Sequence, residues 1–193
     1  LLLRFGSEAQ RAELLPRIAA GECYFSIGMS EPDSGSDLAS VRTSAERSTQ
    51  GWRLNGAKVW TSNAHLNHYM IALCRTGDAG EDRHGGLSQF LIDLHQDGVT
   101  INPIVNMLGA HEFNEVVFDD VEIPGDRLIG QEGDGWRQVT SELAYERSGP
   151  ERFLSNFHIL QALVDEIGNA PDARQAEALG RLSGRLWTLR RMS

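Results

Sequence analysis

Hydrophobic spacing changes character twice along the chain. Residues 8–20 set Ala9, Leu14, Leu15, Ile18 and Ala19 among charged neighbours, the spacing of a short amphipathic helix. Gly21 stands where such a helix stops. From Cys23 to about Ile123 the apolar residues come in short β-type runs, at 24–29, 69–74, 89–94 and 116–123, divided by turn residues. Gln50-Gly51 and Asn55-Gly56 predict tight turns between strands of a meander. Residues 76–87, rich in Gly and Asp, predict an exposed loop. After Pro124 helical spacing returns, first in Phe153, Phe157, Leu160, Leu163, Val164 and Ile167, then in Leu179, Leu182, Leu186 and Leu189. Residues 169–172, around Pro171, divide these two helices and start the second. The predicted order is a helix end, a β-domain and then helices, without internal repeats or low-complexity tracts.

Composition narrows the function classes. A chain of 193 residues can bury a sizeable core as one domain or two small ones. A net charge of −9 argues against a nucleic-acid binder, which needs clustered Lys and Arg to track phosphates. Arg181, Arg185, Arg190 and Arg191 make one locally basic stretch, at the spacing of a solvated helix face or a subunit contact. Cys23 and Cys74 form no CxxC pair, so neither a disulfide framework nor zinc is indicated. No signal peptide is evident, and no apolar run approaches the roughly 20 residues that span a bilayer; the default location is the cytoplasm. The chain starts Leu1-Leu2-Leu3-Arg4 and ends at Ser193 inside a helical pattern, which reads as a piece of a longer protein.

Two segments offer ligand chemistry. In Met29-Ser30-Glu31-Pro32-Asp33-Ser34-Gly35-Ser36-Asp37, Pro32 forces an extended-to-turn change and Gly35 lets the backbone approach a ligand. Ser30 and Ser36 place hydroxyls on either side of the turn. The plain alternative is an ordinary β-turn. In Asn55-Gly56-Ala57-Lys58-Val59-Trp60-Thr61-Ser62-Asn63, a Trp followed by two hydroxyl residues can wall a flat aromatic ligand and hydrogen-bond its edge. The plain alternative is a core Trp beside a satisfied turn. The Gly-rich Ile129-Gly130-Gln131-Glu132-Gly133-Asp134-Gly135-Trp136 lacks the preceding strand and Lys of a phosphate loop. No G-x-S-x-G stands in the chain, and no His or Cys stands at ligand spacing.

Taken in order, SEPDSGSD, NGAKVWTSN, FDDVEIP, GDGW and LAYER resemble the motif set of the acyl-CoA dehydrogenase family, over about residues 10–167. The phrase Phe113-Asn114-Glu115-Val116 and the run 146–152 look most like bacterial branches, some of which act on bulky acyl-CoAs. The resemblance implies a multidomain α and β architecture. Residues 1–22 would end an N-terminal helical domain, 23–130 would form a β-barrel-like middle domain, and 131–193 would start a C-terminal helical bundle. It also implies FAD, an acyl-CoA substrate, electron-transfer flavoprotein as acceptor, and a homo- or hetero-tetramer. Carried over by position, Ile27, Met29 and Ser30 would meet the flavin ring, with Gly35 and Ser36 near the pyrophosphate and thioester arm. Trp60 would pack on the flavin, and Thr61 and Ser62 would follow it at the reactive edge near N5. Tyr145 and Arg147 would lie by the substrate.

Dehydrogenation between Cα and Cβ needs a carboxylate base for the α-proton and an acceptor for the β-hydride. In most of the family the base comes from a late C-terminal segment that this sequence lacks. In a minority it comes from the helix position matching Glu146, so both sources stay open. After Leu108-Gly109 the family often shows Arg and Ser or Thr, whereas Ala110, His111, Glu112, Phe113 and Asn114 stand here; His111 has no evident partner in the sequence. An acyl-CoA oxidase or flavin monooxygenase of the same architecture is the first alternative. A non-catalytic subunit of a mixed oligomer is the second.

Overall fold

The structure, a computed structural model, describes residues 1–78 and 80–192 without the side chain of Ser148. It divides into two compact units, Leu1–Val139 and Thr140–Ser193. In the first, helices α1 (Leu2–Phe5) and α2 (Glu8–Ala19) precede an eight-stranded sheet. Helix α2 is bounded by its sequence at both ends. Ser7 and Gln10 exchange side-chain-to-backbone hydrogen bonds in a capping box. Gly21, at φ 71, turns the chain so that Gly21 and Glu22 donate back to the Ile18 and Arg17 carbonyls, a Schellman ending.

The strands are β1 (Phe25–Gly28), β2 (Ser44–Arg47), β3 (Gly51–Ser62), β4 (Tyr69–Arg75), β5 (Leu87–Asp93), β6 (Val99–Val105), β7 (His111–Pro124) and β8 (Leu128–Ile129). Their order is β6-β7-β3-β2-β4-β5-β8, with β1 also paired to β4. The expected meander is therefore corrected to a mixed sheet: β4 runs parallel to both β1 and β2. Alternation along β4 and β5 sends Met70, Ala72, Phe90 and Ile92 to one buried cluster with Trp52, Leu54, Val116 and Phe118. Ile71 and Leu91 point the other way, beneath Leu2 and Leu14 of the two helices. The helix end and the sheet thus share a core.

The turn expected at Asn55-Gly56 does not exist; both residues lie inside β3. Gly56 takes φ 142, and a Cβ there would sit 2.7 Å from the Thr43 Cα, so the glycine serves a close backbone approach to the chain entering β2. Asn55 exchanges two 2.9 Å hydrogen bonds with Asp120, whose φ of 48 marks the irregularity of β7 opposite. At Gln50-Gly51 the chain does turn, between β2 and β3. The loop expected at 76–87 joins β4 to β5; Ala79 within it lies outside the described residues.

Helices α3 (Gly135–Ser148), α4 (Glu151–Leu154), α5 (Phe157–Ile167) and α6 (Ala173–Met192) follow. The single helix expected around 153–167 is broken at Ser155 and Asn156. Gly168, at φ 65, ends α5, and Asp172 and Gln175 open α6 with reciprocal hydrogen bonds. Phe153, Phe157, Leu160, Leu186 and Trp187 line an open apolar groove between α4, α5 and α6. Among the described residues no helix is long and apolar enough to cross a membrane.

Candidate functional site

The two candidate ligand segments lie side by side at one end of the sheet. Ser26 Oγ in β1 donates to the Ser62 carbonyl at 2.9 Å. Just beyond β1, the Ser30 carbonyl accepts from the Val59 N–H at 2.9 Å. Ile27, Met29 and Ser30 are thereby placed beside Trp60 and Ser62.

Trp60 owes its direction to a bulge. The register of β3 against β7 slips between Lys58 and Thr61, so Val59 and Trp60 together face one residue, Glu115. Trp60 takes φ 62, a left-handed conformation that costs an L-residue about 1–2 kcal/mol. Its indole is turned outward, 61% exposed, with an edge contact to Phe113 at 6.2 Å. A large exposed aromatic on strained backbone is characteristic of a ligand site.

Each flank of the bulge is clamped. On the first, Lys58 is fully buried; its ammonium pairs with Glu31 at 2.8 Å and donates to the Met29 carbonyl at 3.3 Å. The Glu31 carboxylate also accepts from the Arg42 and Thr43 N–H groups, at 2.7 and 2.9 Å. Burial pushes the Glu31 carboxyl up, but the Lys58 charge and these donors outweigh it and hold the group below its ordinary range. Gly28 makes room for the lysine stem: a Cβ there would lie 3.2 Å from Lys58 Cγ and closer still to Met70. On the second flank, buried Thr61 donates its hydroxyl to the Asn114 carbonyl at 2.6 Å, and Asn114 Nδ2 donates to the Thr61 carbonyl at 3.0 Å. Of the two hydroxyl residues after Trp60, the one on the open side is therefore Ser62; the Thr61 hydroxyl is committed inside.

The other motif residues are placed as follows. A turn closes Glu31 to Ser34, and Ser34 and Ser40 both donate to the Asp37 carbonyl. Gly35 and Ser36 are exposed just after this turn, with open space around Gly35. Asp37 pairs with Arg83 from the β4–β5 loop. Tyr145, Glu146 and Arg147 are exposed on α3 in the second unit, and the Glu146 carboxylate pairs with Arg152. His111 is not alone: its ring stacks on His65 with centroids 3.8 Å apart, and its Nε2 lies 2.7 Å from Asn114 Oδ1. His65 is 46 residues away and invisible to local spacing. Among the described residues no group of three or more His, Cys, Asp or Glu is placed to hold a metal.

Glu31, Lys58, Asn114 and His65 escaped the sequence reading. The signal for Lys58 was its parity: it falls on the side of β3 that buries Trp52 and Leu54, where a cation requires a carboxylate.

Residues 26–121 match the family model for the acyl-CoA dehydrogenase middle domain. Over 146 residues, 76% of the chain, the sequence is 48% identical to the acyl-CoA dehydrogenase IpdE1 of Mycobacterium tuberculosis, and the match covers 38% of that protein. The ChsE4–ChsE5 complex from the same species is similar in structure, with a TM-score of 0.77, 30% identity, and coverage of 98% of this chain and 51% of that one. The Tcur3481–Tcur3483 steroid acyl-CoA dehydrogenase gives a TM-score of 0.81 at 28% identity, over 97% and 51% of the two chains. The chain thus spans about half the length of these structures and less of the curated relative. It belongs to the acyl-CoA dehydrogenase family and carries the middle domain together with the start of the helical domain that follows.

Proposed function

We propose that the protein is a flavin-dependent dehydrogenase of acyl-CoA thioesters and that this chain supplies the wall against which FAD lies. The observation that carries the proposal is the outward indole of Trp60, held on a clamped bulge beside the Met29-Ser30 backbone and the exposed Ser62. Such a surface suits one face and edge of a flat, polar-rimmed ring system. When bound, FAD supplies the two-electron acceptor for the β-hydride. Trp60 presents its ring, Ser62 and Ser30 offer hydroxyls at the rim, and the open loop at Gly35 and Ser36 leaves room for a phosphate or thioester arm. Glu146 is this chain's candidate for the base that takes the α-proton, with Tyr145 and Arg147 toward the substrate. Electrons pass on to an electron-transfer flavoprotein. Similarity to the Tcur3481–Tcur3483 steroid acyl-CoA dehydrogenase favours a bulky acyl group, and similarity to it and to the ChsE4–ChsE5 complex favours assembly with a related chain in a mixed tetramer; the relatives suggest a bacterial protein, and the cytoplasm is the proposed site of action.

The intact protein is expected to purify yellow and to bleach anaerobically with an acyl-CoA, then reoxidise slowly in air. Fast reoxidation would favour an oxidase or monooxygenase, and no bleaching by any acyl-CoA a non-catalytic subunit. Trp60→Ala is expected to weaken FAD binding. Ser62→Ala should leave FAD bound but change its redox behaviour by one hydrogen bond, about 0.5–1.5 kcal/mol. Titration of the stripped variants with FAD, read by flavin absorbance, checks binding, and reductive titration of the loaded Ser62→Ala variant against a reference dye checks its potential; unchanged binding in Trp60→Ala would remove the wall.

A further inference from the structure

The segment that departs from the family pattern, Ala110 to Asn114, meets the bulge directly. Asn114 is fully buried, and its Nδ2 is committed to the Thr61 carbonyl. That bond fixes the amide orientation, so Oδ1 faces His111, 2.7 Å from its Nε2. An amide oxygen can only accept, so Nε2 carries the proton and donates. The imidazole is exposed and held flat by the ring of His65. A continuous path thus runs from His111 Nε2–H to Asn114, and from Asn114 to both the carbonyl and the hydroxyl of Thr61. Thr61 is the residue that follows strained Trp60.

We infer that His111 is a positioning residue: its donated hydrogen bond orients Asn114, which holds Thr61 and keeps Trp60 turned outward. Without that donor, the oxygen of a buried amide loses its partner, and the amide regains the freedom to rotate away from Thr61. The left-handed backbone at Trp60 then relaxes toward ordinary strand geometry, because strained residues persist only where their surroundings over-determine them. The consequence for cofactor binding rests on the flavin-wall proposal above; the conformational role does not.

Two substitutions in the intact protein separate the hydrogen bond from the ring stack. His111→Phe keeps a flat ring over His65 and removes the donor, whereas His111→Gln removes the ring and keeps an N–H donor of similar reach. Neither replaces a buried side chain, since His111 is itself exposed, so both variants retain the sheet. Amide hydrogen exchange at residues 60–63 is expected to quicken about tenfold in His111→Phe, the population change that one net hydrogen bond carries. Exchange at residues 51–54, at the far end of β3, serves as the internal reference and stays unchanged. His111→Gln is expected to exchange like the parent, and FAD affinity to fall in the Phe variant alone. Parent-like exchange in His111→Phe would overturn the inference, as would a loosening confined to His111→Gln, which would assign the role to the stack. If Trp60→Ala leaves FAD binding unchanged, the flavin wall fails while the exchange result still decides the role of His111.

Discussion

Lys58→Met is expected to destabilise the sheet unit by about 3–5 kcal/mol, the usual result of removing one partner from a buried ion pair. The stem of Met fills the same space, so little of the loss comes from packing. Most comes from the Glu31 carboxylate, left with its two backbone donors and no counter-charge. Replacing both partners, in Glu31→Gln/Lys58→Met, should recover part of the loss: no buried charge is orphaned, although the Gln amide can accept from only one of the two backbone donors. Denaturant unfolding of the parent, single and double variants checks the order. A single variant as stable as the parent would mean that the pair does not hold the two segments together. The pH dependence has a definite sign. Glu31 titrates below its ordinary range in the fold, so its stabilising contribution is complete above the unfolded glutamate pKa, about 4.3. It is lost as pH falls through the lower folded value. The gap between the parent and Lys58→Met is therefore expected to be widest near neutrality and to shrink below about pH 4.

That ion pair also shows how far the sequence could be read. Strand runs and the amphipathic helix at the start of the chain were legible because burial imposes periods of 2 and 3.6 on the chain; helical spacing after Phe153 was legible too, but not its break at Ser155 and Asn156. Parallel pairing of β4 with β1 and β2 was not, since alternation identifies a strand but not its neighbour. Asn55-Gly56 misled because a glycine that permits a turn also permits close backbone approach, and only the presence of Thr43 opposite decides between them. The candidate ligand face was read from Trp60, Ser62 and Ser30, residues whose chemistry is visible alone. Its supports were missed because Glu31 and Lys58 stand 27 residues apart, and Thr61 and Asn114 stand 53 apart. Each looks like an ordinary strand or turn residue until the fold joins it to its partner.

Glu146→Gln is expected to abolish bleaching of the flavin by acyl-CoA while leaving FAD and acyl-CoA binding nearly intact. The amide keeps the shape of the side chain and much of its hydrogen bonding but has no basic oxygen to take the α-proton. In this structure Glu146 and Arg152 are both more than half exposed where they pair, and an exposed pair of that kind contributes about 0–1 kcal/mol. The substitution therefore reports on chemistry rather than on folding. The same weakness means that the carboxylate can leave Arg152 for a substrate at little cost. Proton-transfer catalysis typically supplies a factor of about 10² to 10⁴ in rate, so the loss should be plain in a single anaerobic turnover followed at the flavin absorption band. Arg152→Ala provides the control: it removes the partner but not the base, and bleaching should persist. Near-parental bleaching by Glu146→Gln would assign proton abstraction to a carboxylate outside this chain and leave Glu146 as a helix-surface residue paired with Arg152.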